Sequence, residues 1–104
     1  MAEYRIEITA KAKRDMKEVH AYISGKLKVP NTANRLLDKI ETEILTLKNM
    51  PLRHAIERDE QLKLRHLRKL IVDNYLIFYT VSEKAEAVFI VRILYARRDW
   101  VNLL

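Results

Sequence analysis

The last third of the chain contains three closely spaced strand-like runs, and their spacing limits the folds available to it. They span about 65–72 (RHLRKLIV), 75–81 (YLIFYTV) and 87–95 (AVFIVRILY). Only Asp73–Asn74 separates the first two runs, and the charged segment SEKAE separates the second from the third. Connections this short join antiparallel neighbours, because a parallel crossover needs about a dozen residues or more. The sequence therefore predicts an antiparallel meander, with a type I′ turn at Asp73–Asn74 because both residue types tolerate positive φ.

In the N-terminal part of the chain, the spacing of apolar residues changes once, from that of a strand to that of a helix. Residues 3–9 (EYRIEIT) alternate apolar and charged side chains, which indicates a half-buried strand. Thr9 then stands where the N-cap of a helix is expected. From Ala10 to Leu27 the apolar residues recur at helical spacing, so an amphipathic helix is predicted over this range.

A second amphipathic helix is predicted after a break at Gly25 and Pro30. Asn31 is its expected N-cap, the apolar stripe runs from Ala33 to Leu47, and the helix is expected to end before Pro51. The short connection between the helices implies an antiparallel helical hairpin. Residues 51–64 show no clear period and are predicted to be a surface connection, with a short strand near 62–64.

These elements predict one α+β domain over residues 1–104, in the order β-α-α-β-β-β. A helical hairpin is expected to pack on one face of a small, mostly antiparallel sheet. The middle strand is nonetheless apolar on both faces, since Tyr75 and Tyr79 oppose Leu76 and Phe78. Two helices cover one face only. The other face is expected to be covered by the C-terminus or by a bound partner. Alternatively, these are simply central strands, which are apolar on both faces.

Composition narrows the class of protein. The chain has no cysteine, which excludes a disulfide framework and a thiolate zinc site. Its charged N-terminus is unlike a signal peptide, and no apolar run approaches the ~20 residues that a membrane-spanning helix needs. A soluble, cytoplasmic protein is therefore expected. The net charge of +6 favours acidic partners such as RNA, DNA or an acidic protein surface.

The residues that could take part in catalysis are basic or aromatic. The histidines have no metal-ligand spacing, and a single glycine cannot form a phosphate-binding loop, so neither a metal nor a cofactor is expected. Arginines beside a tyrosine or histidine could position RNA for attack by its own 2′-hydroxyl, because arginine neutralises the phosphorane while the other group moves a proton. The set comprises Arg65, His66, Arg68, Lys69, Arg92, Tyr95, Arg97, Arg98 and Trp100.

A plainer interpretation of this set is also open. Arg65, Arg68 and Lys69 alternate with leucines, as solvent-facing strand residues do. They lie at the start of the first strand of the meander, whereas Tyr95 and the residues after it end the third, which runs the same way. The two groups therefore need not form one pocket.

The order of elements and the amino-acid sequences of several segments resemble those of the RelE/ParE superfamily of bacterial type II toxins. The most specific segments are NYLIFYTV (Asn74–Val81) and RILYARRDW (Arg92–Trp100), and the resemblance extends over nearly the whole chain. It implies growth arrest, a role in plasmid stabilisation, and neutralisation by a cognate antitoxin that wraps the toxin. It also implies that the toxin reaches operator DNA only through that antitoxin.

The resemblance implies different targets for the two branches of the superfamily. ParE-like members poison DNA gyrase, whereas RelE-like members are metal-independent endoribonucleases that cleave mRNA on the ribosome. The long first helix, and Leu76 where nucleases tend to keep a basic residue after the aromatic, favour gyrase inhibition. A ribosome-dependent nuclease is the first alternative, and a basic nucleic-acid-binding module is the second.

The resemblance also proposes site residues. For the nuclease alternative the catalytic candidates are Arg65, Arg68, Tyr95 and Arg97. The candidates for binding the target or the antitoxin are Arg68, Tyr75, Tyr79, Arg92, Tyr95, Arg97, Arg98 and Trp100.

Overall fold

Two helices pack on one four-stranded sheet in the computed structural model, which describes residues 3–26, 28, 30–58, 65–97 and 103–104. The α+β class and the order β-α-α-β-β-β predicted from the sequence are confirmed. The elements are β1 (Arg5–Ile8), α1 (Ala10–Ala21), α2 (Pro30–Leu45), β2 (Arg68–Val72), β3 (Tyr75–Ser82) and β4 (Ala87–Tyr95). A π-helical turn (Tyr22–Lys26) continues α1, and a 3-10 turn (Thr46–Lys48) follows α2.

The sheet has the strand order β1-β4-β3-β2. β2, β3 and β4 form the predicted antiparallel meander, and β1 pairs with β4 in parallel. Tyr75 pairs with Val72 on one side and Tyr95 on the other, so these residues lie at the same end of the sheet. Arg68 pairs with Tyr79 toward the opposite end.

Thr9 is the N-cap of α1, as predicted, and it also bonds to β4. Its hydroxyl accepts a hydrogen bond from the Ala12 N–H at 3.2 Å and donates to the Val91 carbonyl at 3.1 Å. Its own N–H donates to the Ile90 carbonyl at 3.1 Å. One residue therefore ends the strand and begins the helix, which fixes α1 beside the middle of β4.

The helix boundaries differ from two predictions. The α-helical part of the first helix ends at Ala21 rather than Leu27, which itself lies outside the described residues. Ser24 donates its hydroxyl to the His20 carbonyl at 2.7 Å, which competes for the acceptor that an α-helical Ser24 N–H would use. The prediction that Asn31 caps the second helix is wrong, because the helix already begins at Pro30. Proline suits a first helical position, where its fixed φ is favourable and its missing N–H is not needed.

Two turns also correct the sequence-based boundaries. β2 begins at Arg68 rather than Arg65, since His66 adopts a φ of 53° that no strand accommodates. The turn at Asp73–Asn74 has the predicted two-residue length, but only Asp73 has positive φ. A type I′ turn requires positive φ at both residues, so the predicted turn type is wrong. The short strand predicted near 62–64 lies outside the described residues.

The main core lies between the helices and one face of the sheet. Ala12 from α1 and Ile40 and Ile44 from α2 pack against apolar side chains of all four strands. The core side of the sheet includes Leu70, Val72, Ile77, Tyr79, Val88, Ile90 and Ile93. The apolar helical stripes seen in the sequence therefore face the sheet.

A second, smaller core lies on the opposite face of the sheet. Leu76, Phe78 and Leu94 are buried there with Leu67, and Leu103 and Leu104 pack against them. The expectation that the C-terminus covers part of this face is confirmed for Leu103 and Leu104.

Candidate functional site

A buried carboxylate links α1 to β4 beyond the end of β1. β1 pairs with β4 only as far as Ile90, so the Ile93 N–H has no strand partner on that side. Asp15 accepts from that N–H at 2.9 Å, and from the Nε and Nη2 atoms of Arg92 at 2.8 and 3.0 Å. Asp15 is only 6% exposed. Its hydrogen bonds raise the pKa of Arg92 further above the usual value.

Next to this contact, a groove of about 740 Å³ opens between the helices and the sheet end where β3 begins. Val19, Tyr22 and Ile23 form its helical wall together with Leu36 of α2. The groove is open to solvent, and Tyr22 is 52% exposed although it is a large aromatic residue. We call this the tyrosine groove.

The floor of the tyrosine groove is formed by the ends of β3 and β4. The rings of Tyr75 and Tyr95 are 5.5 Å apart between centroids and tilted by 43°. Burial raises the pKa of Tyr75 above its usual value, and the nearby hydroxyls of Tyr95 and Tyr22 add to the effect. Tyr75 therefore stays neutral at physiological pH.

The tyrosine groove is acidic although the chain as a whole is basic. Asp15, Glu18 and Asp73 line it, and no Lys, Arg or His is among the described residues of its lining. Asp15 is held by Arg92, and Asp73 accepts from Lys39 at 2.7 Å outside the groove. Within the described part of the chain, Glu18 has no ion pair within 4.0 Å.

Two arginines bind the main chain of the C-terminal residues on the face of the sheet opposite the helices. Arg92 donates from Nη1 to the Leu103 main-chain oxygen at 2.7 Å, and Arg65 donates from Nη1 to the Leu104 main-chain oxygen at 2.6 Å. These contacts place both guanidinium groups beside the smaller core. They act here as anchors for the backbone that covers it.

Arg68 and Tyr79 fasten the connection that follows α2. The Arg68 guanidinium donates to the carbonyls of Leu52 and His54. Tyr79 is completely buried, and its hydroxyl donates to the Pro51 carbonyl at 3.0 Å. Tyr79 thus presents no surface of its own in this structure, and its role in binding a partner stays a prediction.

The residues proposed from the sequence thus separate into three places. Tyr75 and Tyr95 meet in the tyrosine groove, as already described. Arg68 lies by the connection at the other end of β3, four residues or about 13 Å away along the strand. Arg65 and Arg92 bind the C-terminal residues. The exposed Arg97 follows β4, and Arg98 and Trp100 lie outside the described residues.

Sequence reasoning missed the acidic members of the groove. Asp15 stands three residues after Ala12 and one before Met16, inside the apolar stripe of α1. A carboxylate on the buried side of a helix needs strong partners, and that anomaly was the signal available in the sequence. Nothing comparable marked Glu18, which looks like an ordinary solvated helix residue.

No helix in the described part of the chain is both long and apolar enough to cross a membrane. The same residues contain no group of three or more His, Cys, Asp or Glu side chains arranged to hold a metal ion.

Comparison with known structures identifies the fold. A chromosomal ParDE toxin–antitoxin system from P. aeruginosa matches with a TM-score of 0.75 at 18% identity, over 91% of this chain and 98% of that one. The RelBE2 toxin–antitoxin complex of Mycobacterium tuberculosis matches with 0.64 at 20% identity, over 91% and 93%. A mutant of the E. coli toxin RelE in the free state matches with 0.64 at 12% identity, over 99% and 93%. At these identities the similarity shows a shared fold.

Sequence comparison is more specific about the family. No curated protein sequence matches the chain. The family described as the ParE toxin of the type II toxin–antitoxin system parDE matches residues 6–100, which is nearly the whole chain. The resemblance to the RelE/ParE superfamily is thereby confirmed, and the chain belongs to the ParE toxin family of type II toxin–antitoxin systems.

Proposed function

We propose that this type II toxin arrests growth by inhibiting DNA gyrase and that it does not cleave mRNA. The observation that carries the proposal is the separation of the nuclease candidates Arg65, Arg68 and Tyr95, since both guanidinium groups are bonded to main-chain oxygens away from Tyr95. Membership of the ParE family supports the same target.

Metal-independent RNA cleavage needs a cation and a proton-transferring group at one phosphate. The guanidinium of Arg68 is occupied by loop carbonyls, and that of Arg65 by the main chain of Leu104. Tyr95 could move a proton, but it shares its groove with Glu18, whose carboxylate makes no ion pair among the described residues and repels phosphate. Neither Arg65 nor Arg68 therefore combines with Tyr95 in one site, and the exposed Arg97, two residues after Tyr95, is the one remaining candidate cation among the described residues.

The toxin family implies a cognate antitoxin, and we place its docking site at the tyrosine groove. The groove is open, largely apolar and shaped by both helices and the sheet. Tyr22, Tyr75 and Tyr95 supply the large amphipathic rings that anchor many protein interfaces. An antitoxin segment in this groove would also cover the end of the sheet where β3 begins.

The proposed target is tested by the order in which macromolecular synthesis stops after the toxin is induced. Pulse-labelling with thymidine and leucine distinguishes the two mechanisms, because gyrase inhibition stops DNA synthesis first and mRNA cleavage stops protein synthesis first. We expect loss of thymidine incorporation to precede loss of leucine incorporation. Early loss of leucine incorporation that is prevented by Arg65→Ala or Tyr95→Phe would instead identify a nuclease.

Neutralisation is tested by co-expressing the protein encoded next to the toxin. Restored growth and a co-purifying complex are the expected results. If the chain arrests growth but no neighbouring gene product restores it, the assignment of that neighbour as antitoxin is wrong.

A further inference from the structure

We propose that the tyrosine groove takes a cationic segment of its partner, with a lysine or arginine side chain between Glu18 and the tyrosine rings and apolar side chains on either side. The inference rests on the proposed docking of the antitoxin at this groove. It specifies the chemistry of the docked segment, which neither the family nor the fold defines.

Charge is the first reason. The chain contains 20 Lys and Arg residues against 14 Asp and Glu residues, yet the described lining of the groove contains three carboxylates and no cationic side chain. Asp15 and Asp73 already have cationic partners, whereas Glu18 interacts with Arg92 only through space and makes no ion pair within 4.0 Å among the described residues. The carboxylate of Glu18 therefore favours a cation in this groove, in a chain whose net charge is positive.

The aromatic rings are the second reason. A cation is attracted to the face of a tyrosine ring when it lies within about 6 Å of the ring centroid. Tyr75 and Tyr95 already lie side by side, and Tyr22 reaches the same groove from the π-helical turn. The faces of these rings therefore add attraction for a cation that binds beside Glu18.

The remaining lining defines the neighbours of the cationic side chain. Val19, Ile23 and Leu36 present aliphatic surface on the helical side, and Ile93 continues it on the sheet side. Such surface is covered best by apolar residues flanking the cation. A groove of about 740 Å³ holds several side chains, which suits a peptide segment.

The same features argue against a nucleic acid in this groove. A phosphate in the groove would meet the carboxylate of Glu18, and like charges repel. Asp15 and Asp73 add little to this repulsion, because Arg92 and Lys39 already compensate their charges.

Binding of defined peptides to the full-length toxin, made by cell-free synthesis, tests the proposal. The first probe is a set of fluorescein-labelled 15-residue peptides that tile the protein encoded next to the toxin. The second probe is a random 12-residue phage library, selected on the toxin, so that the groove is tested even if the neighbouring protein does not bind. Fluorescence anisotropy then gives the dissociation constant of each bound peptide.

Charge reversal at Glu18 is the decisive variant. We expect Glu18→Lys to weaken the bound peptide about tenfold or more, since a close charge pair is lost and a repulsion is added. Glu41→Lys, the same change on an exposed position of α2 outside the groove, should change binding less than about twofold. Replacing the peptide's basic residue by Glu should restore binding to the Glu18→Lys variant. Glu18→Gln, which is milder for folding, should weaken binding several-fold.

Tyr22 provides an independent variant. Tyr22→Ala should weaken binding about tenfold, and Tyr22→Phe should retain most of it because the ring is kept. Circular dichroism checks that each variant folds.

The outcomes separate this inference from the proposed function. Selected peptides that are apolar and basic, and sensitive to Glu18 and Tyr22, support the inference even if the neighbouring protein fails to bind, which would count against the antitoxin assignment alone. Peptides without a basic residue, or equal effects of Glu18→Lys and Glu41→Lys, would overturn the inference while growth rescue could still uphold the proposed function. Displacement of the peptides by a 20-nucleotide RNA would also overturn it.

Discussion

At the scale of single residues, Asp15 connects more of the molecule than any side chain that the sequence singled out. Its carboxylate accepts hydrogen bonds from the Ile93 N–H of β4, which β1 leaves without a strand partner, and from the Arg92 guanidinium. Arg92 in turn donates to the main-chain oxygen of Leu103. The pair is shielded, since the side chains of Arg92 and Asp15 are 18% and 7% exposed. Removing one member of such a pair leaves the other charge buried without compensation.

Asp15→Ala is therefore expected to lower the free energy of unfolding by about 3 kcal/mol. Urea denaturation followed by circular dichroism measures the change. Glu7→Ala serves as the control, because it breaks the exposed Arg5–Glu7 pair, whose side chains are 58% and 49% exposed, and should have little effect. Equal losses from the two variants would contradict the role assigned to Asp15.

His54 makes the folded state sensitive to acid. Burial lowers its pKa below the ordinary value of 6.5, and the charges of Arg53 and Arg68 lower it further. Arg53 donates from Nε to His54 Nε2 at 3.2 Å, a contact that requires this nitrogen to be unprotonated. The unfolded chain therefore binds the proton more readily than the folded chain does.

The stability contributed by neutral His54 is complete above the unfolded pKa and decreases as the pH falls below about 6.5. We expect the urea midpoint of the wild-type protein to drop between pH 7.5 and 5.5 by more than that of a His54→Gln variant. Other titrating groups are common to both proteins and cancel in the comparison. Identical pH dependence of the two midpoints would show that His54 does not titrate abnormally.

At the scale of elements, the smaller core depends on the C-terminal residues. Leu103 and Leu104 are half-buried against Phe78 and Leu94, on the face of the sheet that the helices leave uncovered. Arg65 and Arg92 bind only their main-chain oxygens, so the two side chains can be shortened without removing those hydrogen bonds.

Leu103→Ala combined with Leu104→Ala should lower the free energy of unfolding by about 2 kcal/mol, since half-buried leucine surface is lost twice. Binding of the dye ANS should increase as Phe78 and Leu94 become accessible. Leu52→Ala is a matched control because Leu52 is already 43% exposed. If the double variant is no less stable than this control, the C-terminal residues do not form part of the core.

The elements were largely predictable because local patterns decide them. The alternation in residues 3–9, the helical stripes and the two short connections led directly to the order of strands and helices. The misplaced boundaries are those that a side chain or a single dihedral decides. Examples are the Ser24 hydroxyl at the end of α1 and the positive φ of His66 before β2. A sequence pattern carries no information about such local competition.

At the scale of the whole molecule, the site depends on contacts between distant parts of the chain. Tyr75 and Tyr95 were identified from the sequence, and the pairing of β3 with β4 brings them together. Their acidic neighbours could not be predicted, because the packing of α1 against β4 places Asp15 and Glu18 beside them. The arginines were predicted to take part in catalysis or binding. In the folded chain, however, Arg65, Arg68 and Arg92 donate hydrogen bonds to main-chain oxygens.

The distribution of charge in the folded molecule separates its two proposed interactions. An overall charge of +6 leaves the outer surface basic, whereas the tyrosine groove is acidic. The proposed cationic segment of the antitoxin would therefore be directed to the groove. The groove should be free for this segment whichever surface meets the target.

The most direct test of the central claim uses the purified toxin with purified DNA gyrase. Relaxed plasmid, ATP and gyrase are incubated with increasing toxin, and the supercoiled product is resolved by gel electrophoresis. The proposed function predicts loss of supercoiling that depends on toxin concentration, while mRNA in a translation extract stays intact at the same concentrations. Uninhibited supercoiling together with ribosome-dependent mRNA cleavage would contradict it.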